Sequence, residues 1–350
     1  MKTTRPGFMM IMTFMMLTIG VVVATQLFFK GSMYSVYVTS IKRREQAKRL
    51  ARSGIQIALN QLALQDTEII EPEEDEKKEK DPVLRQKKLL QTLLLTKNKW
   101  QTFNLEENRD GREGTVKICI TCEDGKIPLN GLIDYKKQDF IQSKKDPKLD
   151  GREALRRICD RIKDITGDDV FEGFVEFIKE AKTAPADVTA FFVQKQFDAF
   201  REGVFFEPDQ VQQEGVEEKK RIYFTDIFSL WPEKPTINPW LLSPSVELLA
   251  QINSQEVKQE EIKELLEKLD LKSFSLEKDW DTYLRPLYGR DYKTLPKEFT
   301  PLLSSKFEPR VFSVLCYGKV GQVVQKLVAV IARKFESEGE IFEVKKIYWL

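Results

Sequence analysis

The sequence predicts an α+β protein built from a long N-terminal helix, an antiparallel sheet and an all-helical segment inserted within the sheet's part of the chain. Three observations carry this. Phe8 to Phe29 (FMMIMTFMMLTIGVVVATQLFF) holds no charge and runs on into a segment whose apolar residues recur three and four apart. Apolar alternation of period two appears at Thr115–Cys122, and three strand-like apolar runs lie near the C-terminus, the middle one of which is also compatible with a helix. Between those strand signals lies an aromatic-rich stretch with helix caps and stops of its own.

The 22 residues from Phe8 to Phe29 would rise roughly 33 Å as a helix, enough to cross a hydrocarbon core. A cleavable secretory signal would carry an apolar core of about 7 to 15 residues and a small-residue cleavage site; neither is present. The span is therefore read as retained, over 8–29. After Lys30, Gly31 and the run Tyr34 to Thr39, a helical pattern resumes with Ala47, Leu50, Ala51, Ile55, Ala58, Leu59 and Leu62 on one face. Lys42, Arg43, Arg44, Lys48, Arg49 and Arg52 occupy the rest. Residues 30–65 thus read as an amphipathic stalk that prolongs the membrane helix into water.

Composition narrows function. The 350 residues include 56 Lys plus Arg against 55 Asp plus Glu, a balance that disfavours nucleic acid as a partner. There is no histidine, which removes Ser-His-Asp and Cys-His catalysis and His-containing zinc sites. Four cysteines, Cys119, Cys122, Cys159 and Cys316, permit one or two disulfides. Cys119 and Cys122 form a lone Cys-x-x-Cys in a strand-like run, where residues three apart face opposite ways, so buried structural thiols are expected in place of a redox pair.

Residues 66–81 are nearly all charged and read as a solvated linker; the interleaved lysines weaken the alternative of a calcium site. Asp81-Pro82 reads as a cap and first-turn proline for a short helix with Val83, Leu90, Leu93 and Leu94 on its face, packing on a sheet. Strand Thr115–Cys122 is followed by Asp124-Gly125, which predicts a turn into a second paired strand at Lys126–Asn130. Asp150 caps a helix carrying Leu155, Ile158, Cys159, Ile162 and Ile165, and Gly167-Asp168-Asp169 ends it before Phe171, Phe174, Val175 and Ile178. Pro185 to Phe200 continues helical, and the phenylalanines predict a separate core for an insert over 149–222. The sheet domain then comprises 82–148 and 223–350. In the latter, Ser254 should cap a helix to Leu271, a proline-bearing loop follows, and Arg310–Tyr317, Val323–Arg333 and Ile341–Trp349 should form an antiparallel meander.

Residues 1–7, with Lys2, Arg5 and Pro6-Gly7 directly before Phe8, resemble a type IV pilin-class leader, cut between Gly7 and Phe8 by prepilin peptidase. Within that class the stem Ala47–Leu62 (AKRLARSGIQIALNQL) is similar to the K-type minor pseudopilins of bacterial type II secretion. So, in part, are Glu123–Asn130 (EDGKIPLN) and Thr236–Ser243 (TINPWLLS), with departures at Pro128, Pro239 and Trp240. Counting Phe8 as the first mature residue, the fifth is Met12, where most pilins carry Glu and K-type members do not. A carboxylate in the bilayer is costly unless it neutralises a neighbour's amine, so Met12 suits a subunit with nothing stacked above it.

The resemblance implies a pilin-like sheet domain, a methylated amino terminus at Phe8 and a non-enzymatic role capping the periplasmic pseudopilus. It implies partners among the other minor pseudopilins. The stem stripe Ala47, Leu50, Ala51, Gly54, Ile55, Ala58, Leu59 and Leu62 needs a cover once it has left the bilayer: its upper part is expected to rest on the protein's own sheet, as pilin stems do, and its part nearer the membrane to pack on the stems of those partners. It also implies an inner-membrane anchor with its N-terminus in the cytoplasm, although Lys30, Lys42, Arg43 and Arg44 beyond the span run against the positive-inside rule. No cofactor is expected; family members can bind calcium in the insert, but no residue here maps to such a site. The alternatives are a minor pilin of a related pilus or uptake filament, or a signal-anchored envelope enzyme or binding protein.

Overall fold

The computed structural model describes residues 6–63, 82–111, 113–142, 150–181, 183–201, 203–208, 221–232, 234, 236–255, 257–336 and 339–350. The leader residues before Pro6 and the linker 66–81 with its Asp81 cap lie outside these. In chain order the elements are helix α1 (Pro6–Ala63), α2 (Pro82–Thr96), β1 (Gln101–Leu105), α3 (Glu107–Asp110), β2 (Gly114–Cys122), β3 (Ile127–Pro128), β4 (Ile133–Asp134) and β5 (Asp139–Phe140). Then come α4 (Gly151–Thr166), α5 (Phe171–Glu180), α6 (Phe224–Ile227), β6 (Phe228–Ser229), α7 (Pro244–Leu249), α8 (Gln259–Lys268), α9 (Leu276–Tyr283) and α10 (Arg285–Tyr288). The chain closes on β7 (Val311–Val320), β8 (Val323–Glu336) and β9 (Gly339–Trp349).

The main sheet is antiparallel throughout, in the order β1-β2-β7-β8-β9. The three C-terminal strands form the expected meander because short connections join them and because β7 and β8 are rich in β-branched and apolar residues that are covered on both faces of the sheet. Gly321, at φ 58°, turns β7 into β8. Neighbours β2 and β7 are joined by residues 123–310, so the excursion out of the sheet is longer than the 149–222 insert that the sequence predicts.

α1 is one uninterrupted helix. Its C-terminal part lies across β2, β7 and β8, where Leu50, Ala51, Ile55, Ala58 and Leu62 share a core with Val116, Ile118, Phe312, Val314, Cys316 and Leu327. The opposite sheet face carries Cys119, Leu315, Tyr317 and Val328, covered by Trp100, Phe205, Phe206 and Tyr348. The molecule is layered as helix, sheet and excursion.

Within the excursion, α4 starts where Asp150 accepts the Arg152 N–H and stops at Gly167, in the left-handed region at φ 86°. Several expectations are corrected here. Asp124-Gly125 closes a short 3-10 turn, and the following β3 pairs in parallel with β6, not back on β2, because Gly125 is pressed against the chain at Leu241. Pro185–Phe200 holds two 3-10 segments, Val188–Val193 and Lys195–Phe200, in place of a continuous α-helix. Ser254 does not cap α8, which begins at Gln259; its hydroxyl donates to Glu247 at 2.6 Å instead. The supposed proline loop contains α9 and α10. The insert has no core of its own: Phe174 packs on Phe191 and Phe197 but equally on Phe224 and Phe228, within one core that also contains α1. The helix after Pro82 buries Leu89, Leu90, Leu93 and Leu94 and leans on α8. β1 is an addition that the sequence pattern did not reveal.

Candidate functional site: the stem and the face that receives it

Two populations of side chain divide α1. From Phe8 to Ile41 every large apolar residue is exposed, including Phe8 at 65%, Met12 at 52% and Tyr34 at 70%. From Ala47 onwards the inward face is closed, with Ala47, Ala51 and Ala58 at 0% and Leu62 at 2%. The helix from Phe8 to Ala63 is long and apolar enough to cross a membrane, near the N-terminus and with its apolar window unburied, so α1 reads as a single-pass membrane anchor.

The stripe rests on the protein's own sheet over its whole length, as expected for its upper part; the expectation that its part nearer the membrane, around Ala47 and Leu50, packs on neighbouring subunits is corrected. Ala47, Leu50, Ala51, Gly54, Ile55, Ala58 and Leu62 are buried and Leu59 half-buried against the protein's own sheet, because strand residues of the right shape stand opposite. Gly318 of β7 is the key to that fit. A Cβ there would run into the Ala47 carbonyl and crowd the Ala51 amide, so only glycine lets helix and strand backbones approach so closely. Three residues beyond Ala51, Gly54 sits over Cys316 and Ile118. Gly7 and Phe8 fall in the first turns of α1, and Met12 lies on its bare part.

A second constellation lies where the two quoted phrases meet. The Asn238 N–H donates to the Asp124 carbonyl at 2.6 Å, and the Ser243 N–H to the Gly125 carbonyl at 3.3 Å. Around this junction sit buried charges. The Glu123 carboxylate pairs with Lys126 and accepts from Ser229 and Ser313, while Lys126 also donates to the Thr225 carbonyl at 2.8 Å. Asp124 accepts the N–H groups of Arg310 and Val311 at 2.7 and 2.9 Å, tying the excursion's exit to its entry. Asp226 accepts the Ser245 N–H at 2.8 Å, and its second oxygen has no hydrogen-bond partner among the described residues. Burial pushes the Asp124 and Asp226 carboxyls above the usual carboxylate range, the N–H groups of Val311 and Arg310 opposing in the first case and Lys126 in the second. The network borders a cavity of about 40 Å³, beside Asp187, which is paired with Lys346.

A larger cavity of about 240 Å³ lies between the end of α2 and α10. Its polar lining includes the Lys97 ammonium, 3.6 Å from Glu247 and 3.3 Å from the Tyr288 hydroxyl. Among the described residues no three cysteine, aspartate or glutamate side chains are grouped to hold a metal. All four cysteines are free thiols in buried surroundings, and burial raises their pKa, for Cys316 to about 12. Cys119 and Cys316 lie on opposite faces of the sheet, as the register Ile118↔Cys316 and Cys119↔Leu315 requires.

The sequence missed two things at these sites. Gly318 ends an apolar strand run, and a glycine in a strand interior is the signal for close backbone approach that could have marked it. The union of the phrases had no local signal, since residues 124 and 238 meet only through the fold.

No family model and no curated protein matches the chain. Three solved chains do. One belongs to the GspK–GspI–GspJ complex of the type 2 secretion system of enterotoxigenic Escherichia coli, matched over 90% of this chain and 99% of that one, at 15% identity and a TM-score of 0.45. No residue role or partner is transferred across that distance.

Proposed function

We propose that the chain is a membrane-anchored pseudopilin-type subunit, and within that class a K-type minor pseudopilin that caps the tip of a periplasmic pseudopilus in type II secretion. The observation that carries the reading is the division of α1: its last third is built into the head's core while its first two-thirds stand bare and apolar. Such a helix both anchors a subunit and offers it a stem to pack on others. The bare segment, with Met12 at its base and Tyr34, Val38 and Ile41 above the span, is where other minor pseudopilins would assemble, in place of the stripe above Ala47. No catalysis is assigned, since Glu123, Asp124 and Lys126 are engaged by the chain's own groups. The head lies in the periplasm on this reading, the N-terminus in the cytoplasm and the span in the inner membrane.

Processing tests it. N-terminal mass spectrometry of the membrane-extracted protein is expected to show a chain starting at methylated Phe8, cleaved by prepilin peptidase. An intact Met1 would overturn the pseudopilin reading in favour of a plain signal anchor. Within the class, Val38→Asp together with Ile41→Asp is expected to abolish co-purification with the partner pseudopilins while leaving the melting temperature of the head unchanged.

A further inference from the structure

The exposed apolar surface of α1 is longer than a bilayer's hydrocarbon is thick. Phe8 to Ile41 is 34 residues of continuous helix, rising roughly 51 Å, against about 30 Å of hydrocarbon and 40 to 45 Å with both headgroup layers. Above Lys30 the exposed residues are still Met33, Tyr34, Val36, Tyr37, Val38 and Ile41. The head does not cover them. An upright helix would leave this collar of aromatic and branched side chains in water. A tilt of roughly 30°, inside the range of membrane helices, sets the whole length within the bilayer and its headgroups. Tyr34 and Tyr37 then fall at the level where amphipathic rings settle, and Lys30 reaches the surface by extending its stem.

Directly beyond Ile41 the charge changes abruptly. Lys42, Arg43 and Arg44 are exposed and, being consecutive, point about 100° apart, so they ring the helix. Lys48, Arg49 and Arg52 follow, with Glu45 as the one carboxylate among them. Glu45 is taken by Lys48 at 3.3 Å. The acidic connection between β1 and β2 lies at this end of the head, since Gly114 abuts Leu50, yet among the described residues none of its carboxylates pairs with the ring. Asp110 there accepts from Arg109 and from the Glu106 N–H. Lys48 and Arg52 are further turned over the ring of Trp349, at 5.9 and 5.4 Å, while among the described residues no carboxylate pairs with Lys42, Arg43 or Arg44, and the Arg43 guanidinium lies beside Gly321 in the β7–β8 turn.

We propose that residues 31–44 of α1 form an anionic-lipid site: in the unassembled subunit the helix lies tilted, with Tyr34–Ile41 in the interface and the Lys42–Arg44 ring on acidic headgroups. The ring offers three cations, unpaired among the described residues, on the same rigid helix as the span, at the height the tilt gives to the headgroup layer, where a negative surface attracts basic residues within a Debye length. The proposal rests on reading α1 as a membrane span and is independent of leader processing or of a place at a tip. A partner helix would cover the same stretch on assembly, so lipid and partner compete for it.

The test uses the full chain in nanodiscs of phosphatidylcholine alone or with phosphatidylglycerol, with a spin label at Val38→Cys; the four native thiols are buried and do not compete for the label. The label is expected to be accessible to oxygen and shielded from a water-soluble nickel chelate in the acidic bilayer. Aqueous accessibility should rise severalfold in phosphatidylcholine alone or on adding salt, and in the acidic bilayer for the variant Lys42→Gln, Arg43→Gln, Arg44→Gln. That variant should keep the parent's melting temperature, because the ring makes no contact in the core. A label equally aqueous in both bilayers overturns the tilt, and a shielded label indifferent to lipid charge and to the variant overturns the anionic site. A ring that loses partner pseudopilins on neutralisation, with lipid dependence absent, would assign it to a protein surface instead.

Discussion

Glycine at residue 125 decides whether two distant phrases can touch. A Cβ there would collide with the Leu241 carbonyl, the contact beside which Asn238 and Ser243 make their hydrogen bonds. Gly125→Ala is expected to cost about 1 to 3 kcal/mol, read as a fall in melting temperature with the stem still helical by circular dichroism. Asp226 allows a pH prediction. A carboxyl held above its unfolded pKa adds stability that is complete below that pKa and is lost as pH rises through the folded one. Asp226→Asn keeps an acceptor for the Ser245 N–H and removes the titration, so its melting temperature relative to the parent should climb as pH rises above the ordinary carboxylate range. A difference constant with pH would place the decline in other groups. At this scale the sequence was legible where chemistry is local: Asp150 and Gly167 bracket α4 as expected. It was illegible at Glu123, Lys126 and Asp226, whose burial depends on segments roughly a hundred residues apart.

Among elements, α1 is the one whose pattern said the most and was half misread. Small and branched residues three and four apart do mark a packed face, but periodicity does not say whose surface packs on it. Gly318 settles that for the upper stem. Gly318→Val should lift α1 from β7, exposing Leu50 and Ile55, each worth roughly 1.5 to 3 kcal/mol when buried. Its readout is early proteolysis of the stem between Ala47 and Leu62, with loss of the cooperative transition; a protected stem would mean that the sheet had yielded. The C-terminal strands were legible because each is ten or more residues long, rich in β-branched and aromatic side chains and bounded by glycine-bearing breaks. β1 was not, since Gln101–Leu105 is five residues long and half exposed. The helix α10 was hidden by Pro286, which in fact sits within its first turn, and α9, eight residues long, went unread in the same stretch.

For the molecule as a whole, the boundary between anchor and head lies inside a single helix. A chain beginning at Lys42 should be soluble, folded and monomeric, whereas one beginning after Ala63 should aggregate, because it bares the sheet face formed by Val116, Ile118, Val314 and Cys316. Size-exclusion chromatography with a melting curve of each piece checks this, and a well-behaved second piece would show that the head does not need the stem. The architecture of helix, sheet and excursion was readable from the order of the signals; the reach of the excursion was not, because nothing local announces that β2 and β7 are neighbours.

That adjacency has a mechanical side. From Ala47 to Gly54 the helix passes from Gly318 to Cys316, so it runs counter to β7 as it crosses the sheet. A force drawing the subunit along its own stem, out of the bilayer or into it, meets the helix–strand contact edgewise. It must slide all the seated residues from Ala47 to Leu62 at once instead of unzipping them in turn. Resistance to such a pull is governed by the rate of unfolding and not by equilibrium stability. The stem is thus fixed to its load like a splice in a rope, which tightens its grip over the whole overlap before any one strand gives way.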